Sequence, residues 1–130
     1  MKATRVLVLA ALVLALALPV FAQKGQTLVV YSSVDEVNAK KIFDAFTADT
    51  GINVQFVQLS SGPAYARIKA EAANPQADVW FGAPSENHIL AKEEKLTQPY
   101  KGPNFDKIGK EFKDPDGYWR SFYMNPMAFA

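Results

Sequence analysis

At 130 residues, with 14 basic side chains against 13 acidic, the chain is too evenly charged for a nucleic-acid partner, which wants a strongly basic face. It has no cysteine, so neither a disulfide framework nor a lipid-bearing terminal thiol is available. Its one histidine, His88, has no companion at metal-ligand spacing, which leaves zinc chemistry without a motif.

The first residues carry Lys2 and Arg5, then an apolar run from Val6 to Leu18, then Pro19 and Val20-Phe21-Ala22. A basic start, a short apolar core and small residues before a cut are the layout of a secretory signal peptide. The run is short of the roughly 20 apolar residues that a membrane anchor needs. Residues 1–22 are therefore expected to be a signal cleaved after Ala22, placing residues 23–130 in the periplasm or outside the cell. Losing Lys2 and Arg5 leaves 12 basic residues against 13 acidic, a net charge near −1.

Thr27 to Ser32 is a short apolar run rich in β-branched and aromatic residues, which predicts a buried strand. Ser33 and Glu36 have the spacing of a capping box, and Ala39, Ile42, Phe43 and Phe46 follow at helical spacing. Gly51 is the expected stop. Ile52 to Leu59 predicts a second strand with Ile52, Val54 and Phe56 on one face. Pro63 suits the first turn of a second helix, whose stripe is Tyr65, Ile68 and Ala72 and which ends at Asn74-Pro75. Ala77 to Phe81 reads as a third strand, with a helix from Glu86 to about Lys95 after it. Strand and helix alternate three times, which predicts a mainly parallel sheet with helices on both faces.

Residues 97–117 are rich in proline and glycine. Phe105, Ile108 and Phe112 are spaced for a short helix, and Asp114-Pro115-Asp116-Gly117 is a turn. Tyr118 to Ala130 is aromatic and apolar and reads as one or two further strands. The chain stops on that apolar stretch, so a carboxyl-terminal truncation is expected.

Ligands of an open parallel sheet bind beyond the carboxyl ends of its strands. Three strand-to-helix turns meet there: Ser32-Ser33-Val34-Asp35, Ser60-Ser61-Gly62-Pro63 and Gly82-Ala83-Pro84-Ser85. All are small and rich in hydroxyls, and each opens a helix whose free amides favour an anion. Ser33 and Ser85 look most like caps. Ser32, Ser60, Ser61 and Gly62 are the stronger contacts, and Gly82 completes the third turn. Asp35 has two open readings, support of the first helix dipole or contact with a cationic group or metal. His88 is expected at the surface and Trp80 in the core, with Glu93-Glu94-Lys95 as a solvated helix face. No nucleophile–base pair, zinc motif or Walker loop is present.

The run L-V-V-Y-S-S-V-D-E from Leu28, then F-D-A-F-T-A-D-T-G-I-N-V, resembles the start of bacterial extracellular solute-binding proteins of the ferric-iron-binding type. The segment Y-A-R-I-K-A-E-A-A-N-P-Q-A-D-V-W-F-G-A, Tyr65 to Ala83, is its most specific part, and L-T-Q-P-Y also fits. The resemblance implies an α/β, type II periplasmic-binding-protein fold. Residues 23–130 would be the amino-terminal lobe, with the second lobe largely absent. It also implies no enzyme activity and no resident cofactor. The implied role is capture of a small anion, or of ferric iron chelated by an anion, for delivery to the membrane permease of an ABC importer. Ferric binders of this type usually place a histidine in the first turn, at or near Asp35 here, and draw adjacent tyrosines from the second lobe. The rival is a secreted α/β enzyme whose catalytic residues lie outside this chain.

Overall fold

The computed structural model describes residues 26–124. The expected signal segment and residues 125–130 lie outside them. Three strands form the sheet: β1 (Thr27–Ser32), β2 (Asn53–Gln58) and β3 (Val79–Phe81). They alternate with α1 (Glu36–Thr50), α2 (Ser61–Ala70) and α3 (Ser85–Glu93). The strand order is β2-β1-β3 and both pairings are parallel, with Val30 beside Phe56 and Tyr31 beside Trp80.

This order fixes where the helices go. The chain steps from β1 out to β2, then back across β1 to β3. Right-handed crossovers in opposite directions put their helices on opposite faces. The side chains agree. On one face Phe43 of α1 packs its ring against Phe56 and Phe81, with centroids 5.1 and 5.2 Å away. Val30 and Ala39 complete that core, flanked by Leu28, Val34 and Val54. Burying a side chain such as Phe43 contributes roughly 1.5–3 kcal/mol. On the other face Tyr31 donates its hydroxyl to Glu71 at 2.7 Å, just past the end of α2, under the Arg67 guanidinium. Burial and the Glu71 carboxylate push the Tyr31 pKa up. Neighbouring residues Trp80 and Phe81 thus point to opposite layers, as the strand pleat requires.

Several expectations are revised. Gly51 does stop α1, with φ 74° and its amide on the Thr47 carbonyl. Ser33 does not cap α1, because Asp35 occupies that position. The stretch from Phe105 is two three-residue 3-10 turns, Phe105–Lys107 and Lys110–Phe112, rather than one helix. Extended backbone at Ile108 and Gly109 separates them. Asp114 to Gly117 is a turn, closed by the Gly117 amide on the Asp114 carbonyl at 3.0 Å. Beyond it, the described residues hold no further strand, only an isolated antiparallel bridge between Lys113 and Arg120. The 3-10 turn at Phe112 leaves no extended partner to lengthen that bridge. Phe122 stacks on Phe81 instead, with rings 4.4 Å apart.

Candidate functional site

The three turns lie side by side at the carboxyl edge of the sheet, as its order dictates. Backbone bonds join them. The Leu59 amide donates to the Ser32 carbonyl at 2.8 Å, and the Ser33 amide to the Phe81 carbonyl at 2.7 Å. The turns after β1 and β3 lead to helices on opposite faces, the topological switch beside which open α/β sheets bind ligands.

Within the first turn the hydroxyls are already engaged. Ser32 is fully buried, and its Oγ donates to the Val34 carbonyl and accepts from the Val34 amide. That geometry shapes the turn. Ser33 is half-buried, and its Oγ accepts the Trp80 indole N–H at 3.1 Å. Asp35 resolves toward the dipole reading. Its carboxylate accepts from the Asn38 amide at 3.0 Å and from Asn38 Nδ2 at 2.8 Å. Those bonds hold the Asp35 pKa below its ordinary 3.8. The α1 amino terminus therefore carries its own anion.

The other two helix starts differ. Ser60 stands at the N-cap of α2, exposed and extended, and its side chain makes no capping bond. Ser61 and Gly62 are the first two residues of the helix, and a Cβ at Gly62 would meet nothing within 4 Å. Pro84 precedes α3 without a side-chain cap. Ser85 is the first helical residue rather than the cap, and its hydroxyl reaches only Glu86, at 3.5 Å. The amides of Ser61, Gly62, Ser85 and Glu86 sit in the first turns, where no intrahelical acceptor exists.

Gly82 is buried at φ 87°, and Ala83 follows at φ 70°. A Cβ on Gly82 would lie 2.8 Å from Val34 Cγ2, so glycine lets the third turn close on the first. His88 corrects the surface expectation. It is half-buried, its ring tilted against Trp80 with centroids 4.4 Å apart, and its Nε2 is 2.6 Å from the Gly82 carbonyl. A carbonyl only accepts, so Nε2 carries the proton. Burial pushes the His88 pKa down, against the Gly82 bond, which raises it. Trp80 is likewise half-buried rather than core. The period-two alternation of Trp80 and Phe81 could have revealed this, since only one of the pair can face α1. Among the described residues no group of three His, Cys, Asp or Glu side chains is placed to hold a metal ion.

The chain is similar in sequence and fold to known proteins. A probable ABC transporter periplasmic-binding protein of Sinorhizobium fredii is 33% identical over 93% of this chain and 33% of its own length. The periplasmic binding protein AfuA of Actinobacillus pleuropneumoniae, solved with exogenous fructose-6-phosphate bound, superposes with a TM-score of 0.66. It is 36% identical over 72% of this chain and 29% of that one. The chain is a relative of the periplasmic solute-binding proteins. A Trichodesmium relative solved with iron and citrate ligands gives a TM-score of 0.68, at 27% identity over 74% of this chain and 31% of its own. No family model matches. The chain spans about a third of the length of the curated relatives it matches. Its architecture is that of part of one lobe of a type II binding protein. No helix among the described residues is long and apolar enough to cross a membrane.

Proposed function

We propose that this chain belongs to the substrate-binding component of an ABC importer and captures a small anion for delivery to a membrane permease. The observation that carries the reading is the pair of helix starts at Ser60–Gly62 and Pro84–Glu86. Both lack a side-chain cap and both open on the edge where α/β sheets take ligands. Backbone amides and hydroxyls there suit an acceptor-only oxyanion such as a phosphoryl group. The first turn adds the Ser33 hydroxyl. Asp35, bonded to Asn38, takes no part. The role is binding, and no bond is made or broken. Residues 1–22 direct export, so the mature protein starts at Gln23 in the periplasm, which amino-terminal sequencing checks.

The AfuA likeness favours a phosphorylated sugar over inorganic iron. The Trichodesmium likeness supports a second reading, ferric iron chelated by an anion. In that case the anion would occupy these turns and the metal ligands would come from elsewhere. Isothermal titration calorimetry on the protein as its gene encodes it decides between them. Saturable heat with hexose phosphates or phosphonates supports the first reading, and heat with ferric citrate alone supports the second. Silence across all of them defeats both.

A further inference from the structure

The Trp80–His88 pair touches the first and third turns and the helix that follows the second. The indole N–H reaches Ser33 in the first turn, 47 residues away in sequence. The ring lies 6.5 Å from Tyr65, one helical turn into α2 beyond Ser61. It packs tilted against His88 at 4.4 Å, whose Nε2–H holds the Gly82 carbonyl in the third turn. The Trp80–Tyr65 distance is within the range of favourable aromatic pairs.

The chemistry of Ser33 gives this contact a consequence. A hydroxyl has one proton and two lone pairs. With a lone pair accepting from Trp80, the Ser33 proton remains to be donated, and accepting one bond strengthens the next in the chain. The side chain is thus biased as a donor toward an acceptor-only ligand. His88 acts on the third turn by fixing the carbonyl of Gly82, where two successive residues, Gly82 and Ala83, hold positive φ. Left-handed backbone at a non-glycine residue persists only when its surroundings over-determine it.

We propose that Trp80 and His88 are positioning residues that lock the first and third turns into one preformed unit and set Ser33 as a hydrogen-bond donor to an anion. The ligand part of this proposal rests on the anion-binding reading above; the mechanical coupling does not.

Two measurements on the 130-residue chain test the two parts separately. The first needs no ligand. In ¹H–¹⁵N spectra, Trp80→Phe keeps the ring and removes the donor, and should move the amides of Ser33, Val34 and Gly82. His88→Leu should move Gly82, Ala83 and also Ser33, while His88→Gln, which retains an N–H donor, should restore the Gly82 shift. Shifts confined to residues 79–90 would overturn the coupling. The second uses fructose 6-phosphate and inorganic phosphate as probes. The chain has two tryptophans, so Trp119→Phe leaves Trp80 as the reporter. Its emission should change saturably with probe, and adding Trp80→Phe should weaken calorimetric binding by up to about tenfold, the size of one neutral hydrogen bond. Unweakened binding in a folded Trp80→Phe protein would overturn the positioning role. Amide shifts that spread as expected, with no heat and no emission change from either probe, would uphold the coupling and defeat the anion reading.

Discussion

Gly82 stands where the first and third turns press together, and two separate costs meet any side chain there. The backbone is left-handed, which penalises a Cβ, and Val34 Cγ2 waits 2.8 Å from where that Cβ would be. Gly82→Ala should therefore lose about 1–3 kcal/mol of stability. Urea unfolding measures it, and in a double-mutant cycle Gly82→Ala should cost less in a Val34→Ala background, by the part due to the Cγ2 clash. Asp35 offers a pH test of the same scale. Its carboxyl titrates below its ordinary 3.8 because Asn38 bonds its charged form. The folded state thus favours the anion, so its contribution is complete above the unfolded value and is lost as pH falls through the lowered folded value. Asp35→Asn keeps a capping oxygen but not the charge. Its thermal midpoint should fall below that of the parent at neutral pH, and the gap should close in strong acid. A gap independent of pH would show that the charge does not matter.

The end of α3 shows how an element can be completed by an unfavourable residue. The Leu96 amide reaches back to the Ala91 carbonyl at 2.8 Å and the Lys95 amide to Lys92 at 3.0 Å, a Schellman closure. Its left-handed position is held by Lys95 at φ 59°, where α1 uses Gly51. Lys95→Gly should relieve about 1–2 kcal/mol of backbone strain. The added freedom of the unfolded chain offsets about 0.4–1 kcal/mol of this. A net gain should appear as a raised urea midpoint with unchanged slope; Lys95→Ala should not produce it. Legibility followed the same local physics. Periodicity exposed β1, α1, β2, α2, β3 and α3 within a few residues, because each buries one stripe or face. The capping register was less legible, since Ser33 and Asp35 are both good caps and only backbone geometry selects Asp35. Trp80 was misjudged because its partners, Ser33 just after β1 and Tyr65 in α2, are distant in sequence, and His88 because its contacts depend on how the third turn folds back onto α3. The segment after Leu96 defeated pattern reading, as three-residue 3-10 turns carry no hydrophobic period.

At the scale of the molecule, residues 97–124 add no strand to the sheet among the described residues, so something else must hold this segment to the lobe. The geometry points to Lys92 near the end of α3. Its ammonium bonds Asp114 at 2.7 Å and Asp116 at 2.9 Å and lies over the Tyr118 ring. The two carboxylates are not equivalent. Asp116 is largely exposed, and ion pairs of that kind contribute little. Asp114 is buried and also accepts the Tyr118 amide at 3.1 Å. Burial alone would raise the Asp114 pKa, yet Lys92 and that amide outweigh it and hold the pKa below the ordinary value. Removing Lys92 leaves this buried anion without its cation, a worse state than having neither. Lys92→Met should therefore release the segment while the sheet and α1 remain folded. Trypsin should then cut faster at Lys101, Lys107, Lys110 and Lys113, with far-ultraviolet dichroism little changed. Asp116→Asn should leave the digestion rate near that of the parent. Equal rates in Lys92→Met and the parent would mean that the stacking of Phe122 on Phe81 is enough to hold the segment without the ion pair.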